Sequence, residues 1–133
     1  GSVFDSEVEY KVLGDSPDLS TTVAVPLGLV VNEIATNAVK HGFADEAVRR
    51  FRVTLTPLPD DSSRVHVHIW SSGRPFPANV DPSSSPTLGL QLIYSLVEEL
   101  GSEITLTRVP SPTFEFDVAD LPVDAHRLTK AAL

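Results

Sequence analysis

The stretch Pro26–Phe43, "PLGLVVNEIATNAVKHGF", decides how this chain folds. Val30, Val31, Ile34, Ala35 and Ala38 recur at helical spacing and make a face that can pack on a sheet. Pro26 suits a first helical turn, where its missing N–H costs little. Gly42 suits the position just past a helix end. Lys40 and His41 place positive charge in the last turn, where it complements the helix dipole. The opposite side carries a short polar stripe. Glu33 and Asn37 are four residues apart and stack on one face, and Lys40 and His41 follow on the same side. A carboxylate and an amide oxygen can hold Mg²⁺ directly or through its waters. A lysine or histidine beside them can meet phosphate oxygens, and the carboxylate can orient or deprotonate a nucleophile. An ordinary amphipathic helix with a polar face produces the same spacing, so the stripe alone leaves both readings open.

The flanking elements follow from periodicity. "VEYKV" (Val8–Val12) alternates apolar and polar and predicts a half-buried strand. "FRVTLTPL" (Phe51–Leu58) and "RVHVHIW" (Arg64–Trp70) alternate strongly around the turn signal "PDDSS". They predict antiparallel neighbours with Phe51, Val53, Leu55, Val65, Val67 and Ile69 inward. Ser71–Thr87 is a long loop rich in Pro and Ser. "LGLQLIYSLVEELG" (Leu88–Gly101) predicts a second helix closed by Gly101. "SEITLTRV" and "PTFEFDVA" predict two more strands joined by "PSP", and the tail "DAHRLTKAAL" a short helix or a frayed end. This order indicates an α+β fold: a two-layer α/β sandwich with both helices packed on one face of a mixed sheet.

The 133 residues suit one domain with a core large enough to fold without staples. The chain has no cysteine, which excludes disulfides and thiolate metal sites and is compatible with a cytoplasmic setting. No apolar run approaches the roughly 20 residues needed to span a bilayer, so no direct membrane insertion is expected. Gly1-Ser2 reads as a scar of tag removal, and the lack of methionine suggests a segment of a longer protein. The domain is placed at residues 3–122 and a C-terminal tail at 123–133. A net charge of −8 argues against a nucleic-acid surface, although local geometry can still favour a phosphate ligand. The P-loop signature is absent.

Taken together, "PLGLVVNEIATNAVKHGF" and "TLGLQLIYSLVEELG" (Thr87–Gly101) resemble the catalytic and ATP-binding domain of sensor histidine kinases. The resemblance is to the subgroup related to the HWE kinases, within the superfamily of gyrase, a heat-shock chaperone and a mismatch-repair ATPase. It runs from about Glu7 to Leu121 and implies a Bergerat-type ATP-binding fold. It implies Asn37 as the Mg²⁺-coordinating residue and Glu33 as a candidate base one turn earlier. Lys40 and His41 would face the phosphates. The backbone of Leu88, Gly89 and Leu90 would approach the phosphates at a helix start, a place that favours anions. Pro82–Leu88 would form the ATP lid.

One stretch departs from the family pattern. Relatives carry a turn like "DNGVGLP" where this chain has "SSGRPFP" (Ser71–Pro77). Gly73 is kept as a turn residue of the adenine site. Ser71 replaces the acidic residue that binds the adenine amine, and Pro75 replaces the second glycine. A hydrogen bond to a charged group contributes about 1.5–3 kcal/mol, or one to two orders of magnitude in affinity. The Ser71 hydroxyl can still accept a bond. Pro75 fixes φ near about −65° and removes a donor, which alters the backbone path. "PSPTFEF" also lacks the glycine that often precedes the last strand.

Other features have plainer readings. His66 and His68 share a strand face and could pair on a metal, but no third ligand is placed and a solvent-facing role is commoner. Arg49 and Arg50 suit a solvated loop end, with a phosphate or partner contact as the alternative. Trp70, on the outward face, is a candidate partner or interdomain contact, or lies partly beneath a loop. The Ser/Pro-rich lid offers phosphorylation only on composition.

Three functions stay open. The first is the catalytic domain of a two-component sensor kinase. It would present Mg·ATP to a histidine on a separate helical dimerisation domain, with a response regulator acting downstream. The second is a pseudokinase or histidine phosphotransfer-protein module with weak or no ATP binding. The third is an anti-sigma-factor-type serine kinase.

Overall fold

A computed structural model of the chain describes residues 8–13, 21–42, 49–61, 63–82 and 88–119. The tail and most of the proposed lid lie outside them. The elements run β1 (Val8–Leu13), α1 (Thr21–Asn37), a π-helical turn (Ala38–Gly42), β2 (Arg49–Pro57), β3 (Arg64–Ser71), α2 (Leu88–Glu99), β4 (Thr105–Thr107) and β5 (Thr113–Ala119). The strands form one sheet in the order β1-β2-β3-β5-β4. β1 is parallel to β2 and the other pairs are antiparallel. The sheet is therefore mixed, as the sequence predicts.

The alternation of the strands sets the layers. Val65, Val67 and Ile69 of β3 are buried, and they stand opposite Val118, Phe116 and Phe114 of β5. Phe51 and Val53 of β2 extend the same face. Onto it pack Val23, Leu27, Val30, Ile34 and Ala35 of α1 and Leu90, Ile93 and Val97 of α2, forming one hydrophobic core. The β2–β3 hairpin closes through Asp61, whose carboxylate accepts from the Ser63 N–H (3.0 Å) and hydroxyl (2.5 Å). Such local side-chain bonds favour turns. At the end of α2 the Gly101 N–H donates to Glu98 O (2.9 Å) and the Ser102 N–H to Val97 O (3.1 Å). This paired closure satisfies carbonyls the helix leaves open.

Three expectations change. α1 begins at Thr21, so Pro26 lies inside the helix and not in its first turn. Its missing N–H removes one bond of the second turn. The helix over Thr21–Lys40 is, by length and composition, long and apolar enough to cross a membrane. Its apolar side is packed on the sheet, and Val25 and Leu29 are left exposed at 60% and 47%. β4 covers only Thr105–Thr107, much shorter than the eight-residue stretch that alternates in the sequence.

The outer sheet face carries charge across strands. His66 Nδ1 lies 2.6 Å from Asp117 Oδ1 and His66 Nε2 lies 3.0 Å from Glu115 Oε1. Arg52 stacks over Trp70, 5.1 Å from the ring centroid, a cation–π contact. Burial lowers the proton affinity of His66, but the bonds to Asp117 and Glu115 and their charges outweigh it, and the pKa is raised. A raised histidine stabilises the fold fully below its unfolded value of about 6.5 and loses that contribution as pH rises through the folded value. The three side chains are about a third exposed, so screening holds the contribution to about 1 kcal/mol or less. Chemical unfolding of the parent and His66→Gln from pH 5.5 to 8.5 checks this. The parent's advantage should shrink toward alkaline pH, and a constant difference would refute the ion triad.

Candidate functional site

The polar stripe of α1 and the first turn of α2 meet at Gly89. A Cβ placed on Gly89 would stand 3.0 Å from Glu33 Oε2 and 3.8 Å from Asn37 Oδ1. Glycine thus lets α2 pass close to α1 without displacing the carboxylate. The helical rise explains why both oxygens point to one spot: Glu33 and Asn37 are one turn apart on the same face. Between them Ile34 and Ala35 turn into the core, so the polar face is held in place by the apolar one.

Asn37 carries an unspent polar group. Its Nδ2 is buried and has no hydrogen-bond partner. Buried amide donors are nearly always paired, and an unpaired one costs about 1–3 kcal/mol. Oxygen atoms from an amide and a carboxylate fit a hard divalent cation, and the backbone N–H groups of the glycine-bearing helix start beside them fit the oxygens of a phosphate. Among the described residues no group of three His, Cys, Asp or Glu side chains is placed to hold a metal. A Mg²⁺ ion bound mainly through phosphates and water needs only one or two protein ligands, so the donor set fits Mg·ATP.

The π-helical turn begins at Ala38, directly after Asn37. Its i→i+5 bonding underwinds the helix, so Lys40 no longer follows Asn37 at the α-helical angle that the spacing suggested. Lys40 is exposed, and His41 lies in the same turn. Leu90 is buried in the core at 7% exposure. Only its backbone could face a ligand. Leu88 opens α2.

The second wall is the turn after β3. Ser71 ends that strand on the core-facing side and is 3% exposed. Its N–H donates to Pro112 O at 3.2 Å. The Ser72 N–H donates to Arg50 O, and Ser72 Oγ accepts from the Arg50 N–H, both at 2.9 Å. Gly73 has φ of 113°, a region that side chains avoid, and its carbonyl accepts from Ser111 Oγ at 3.1 Å. The Phe76 N–H donates to Arg108 O at 2.9 Å. The turn is thus held from outside by Arg50 of β2 and by residues 108–112. Sequence reasoning singled out Ser71, Gly73 and Pro75 but missed Ser111 and Arg108. Only the missing glycine in "PSPTFEF" hinted that this hairpin mattered.

Comparison with known proteins decides the family. Residues 12–110 match the family described as histidine kinase-like ATPase domain. The chain belongs to that family. Blue-light-activated histidine kinase 2 of Erythrobacter litoralis is 31% identical over 101 residues, which are 76% of this chain and 29% of that protein. The solved histidine kinase domain of the blue-light-activated kinase EL346 from Erythrobacter litoralis is 26% identical. It superposes with a TM-score of 0.76, covering 87% of this chain and 53% of that one. The histidine kinase ThkA, solved in complex with the response regulator protein TrrA, is 22% identical and shares the fold. Its TM-score is 0.62, over 86% of this chain and 35% of that one. The chain therefore spans about a third of the curated kinase and half of the solved kinase domain. Within this histidine kinase-like ATPase fold, the α1 stripe, the turn after β3 and the start of α2 make up the candidate site.

A ligand-free test follows from the orphaned amide. Asn37→Ala removes a buried unpaired donor and improves helix propensity. It should leave stability unchanged or raise it by about 0.5–1 kcal/mol. Urea denaturation without nucleotide measures this. A loss beyond about 1 kcal/mol would assign Asn37 a structural role instead.

Proposed function

We propose that this chain is the ATP-binding catalytic domain of a two-component sensor histidine kinase. The reading is carried by one observation: Glu33 and Asn37 of α1 converge on Gly89 while the Asn37 amide lies buried and unpaired. A group held without a partner at a helix–helix crossing is paid for elsewhere in the fold and suits a ligand. Asn37 Oδ1 would hold Mg²⁺, with Glu33 beside it to orient or accept a proton from the attacking group. Gly89 leaves the amides of the first turn of α2 open to phosphate oxygens. Ser71 and Gly73 would line the adenine. Lys40 and His41, in the turn after Asn37, would supply the cations that meet phosphate oxygens. When bound, Mg·ATP supplies the phosphoryl group that passes to a histidine of a separate helical dimerisation domain, leaving ADP. The chain's own part is positioning and charge neutralisation. A response regulator, of the kind bound by ThkA, would take the phosphoryl group next.

A second reading has its own observation. By the resemblance, Ser71 would stand where the family's adenine-binding acid is expected, and Pro75 removes a backbone donor from the same turn. A pseudokinase or phosphotransfer module with weak ATP binding would show these changes. Ser71 is buried on the core-facing side of β3, and its hydroxyl could still accept the adenine bond.

Calorimetric titration with ATP and Mg²⁺ separates the two. Micromolar binding by the unsubstituted chain, lost in Asn37→Ala, supports the catalytic domain. Ser71→Asp should then tighten binding by roughly tenfold or more. Silence at millimolar ATP, with binding restored by Ser71→Asp and Pro75→Gly together, establishes the pseudokinase instead.

A further inference from the structure

The segment Phe76–Asp81 joins the turn after β3 to the approach of α2, and it has little regular structure of its own. Pro75 and Pro77 contribute no N–H, so the strap has few donors with which to fix itself. Arg108, one residue beyond β4, supplies what is missing. Its Nη1 donates to Pro77 O at 2.5 Å and to Val80 O at 2.9 Å. Pro77 O also accepts from the Val80 N–H at 3.3 Å, so the guanidinium caps a tight turn at its closing carbonyl. The backbone of Arg108 completes the clamp by accepting from the Phe76 N–H. The guanidinium lies 5.3 Å from the Phe76 ring centroid. That ring in turn packs edge-on to Phe114 of the core, with centroids 6.2 Å apart at 86°. One side chain thereby ties two strap carbonyls and an aromatic anchor to the sheet.

We propose that Arg108 is a positioning residue for the nucleotide site: by clamping Pro77 and Val80 it holds the turn Ser71–Pro75 in a binding shape despite Pro75. The inference rests on the ATP-binding reading above. Phe76 follows Pro75 directly, so any shift of the strap is transmitted to Gly73 and Ser71. Charge at Arg108 also reaches α2. Tyr94 has its hydroxyl pKa raised by burial, an effect that Arg108 opposes and Asp81 reinforces. Strap, β4 end and α2 therefore converge at this residue. Arg108 needs no contact with the nucleotide to act.

The test compares Arg108→Gln, Arg108→Lys and a remote charge control, Arg64→Gln, by calorimetric titration with Mg·ATP, alongside thermal unfolding followed through the single Trp70. Both strap bonds leave one nitrogen, so an ammonium, with three donors, can replace them. Arg108→Gln should weaken ATP binding about tenfold, as expected for two charge-assisted bonds lost. Arg108→Lys should stay within about threefold, and Arg64→Gln should match the parent. If Arg108→Gln does not fold, Arg108→Met takes its place, since it keeps an apolar stem over Phe76 but donates no bond. Affinity within about twofold of the parent in a folded Gln or Met variant overturns the inference. So does an equal loss in the Lys and Gln variants that tracks a fall in unfolding temperature. If the parent itself binds no ATP, the ATP-binding reading falls and takes this role with it, an outcome distinct from a parent that binds and a variant that binds equally.

Discussion

The close approach of α2 to α1 at Gly89 is the constraint on which the site depends. A sheet-packed helix must bury its apolar face, and its opposite face would ordinarily meet water. Here the second helix starts against that polar face, so Glu33 and Asn37 end up between elements instead of in solvent. Any side chain at Gly89 would contact the Glu33 carboxylate. The core residues Ile34 and Ala35 beneath the stripe and Leu90 and Ile93 beneath α2 fix the distance from below. Packing thus sets the spacing of two polar atoms that no direct bond joins.

Much of the fold was legible because its strands alternate and its helices carry one apolar stripe each. Val65, Val67 and Ile69 point inward as their period of two requires, and Val30, Ile34 and Ala35 do so at the helical period. The Glu33–Asn37 pairing was legible for the same reason. Less legible were features that depend on distant contacts. Nothing local in "AVKHG" announces a π-helical turn, yet it changes the angle at which Lys40 leaves α1. β4 shortens although "SEITLTRV" alternates well, because strand length is decided by what the neighbour pairs with and not by propensity. From spacing alone His66 reads as a solvent-facing strand residue, with a metal pair as the lesser alternative. The register instead sets it against Asp117, with Glu115 on the same sheet face, and that register could not be known without the sheet order.

The turn after β3 is ordered although its own sequence offers few groups to hold it. Pro75 contributes no N–H donor, and Gly73 takes a positive φ. The bonds that shape the turn come from its neighbours: Arg50 of β2 pairs with Ser72, Ser111 donates to Gly73, and the Pro112 and Arg108 carbonyls accept from Ser71 and Phe76. The turn is therefore templated by its neighbour more than by its own sequence. Its backbone path is set by residues far from it in sequence.

The strand order carries a kinetic implication. The β2–β3 and β4–β5 pairs join neighbours in sequence, whereas β3 pairs β5 across the whole of α2. Local hairpins form quickly, and non-local pairings wait on the entropy of closing the chain between them. The end of α1, the tip of β3 and the start of α2 face each other only once α2, beyond the long loop after β3, has packed back on α1. The candidate site is consequently a late product of folding. Early in synthesis, before β5 emerges, the chain holds a helix and a hairpin whose apolar faces lack the third strand that completes their cover.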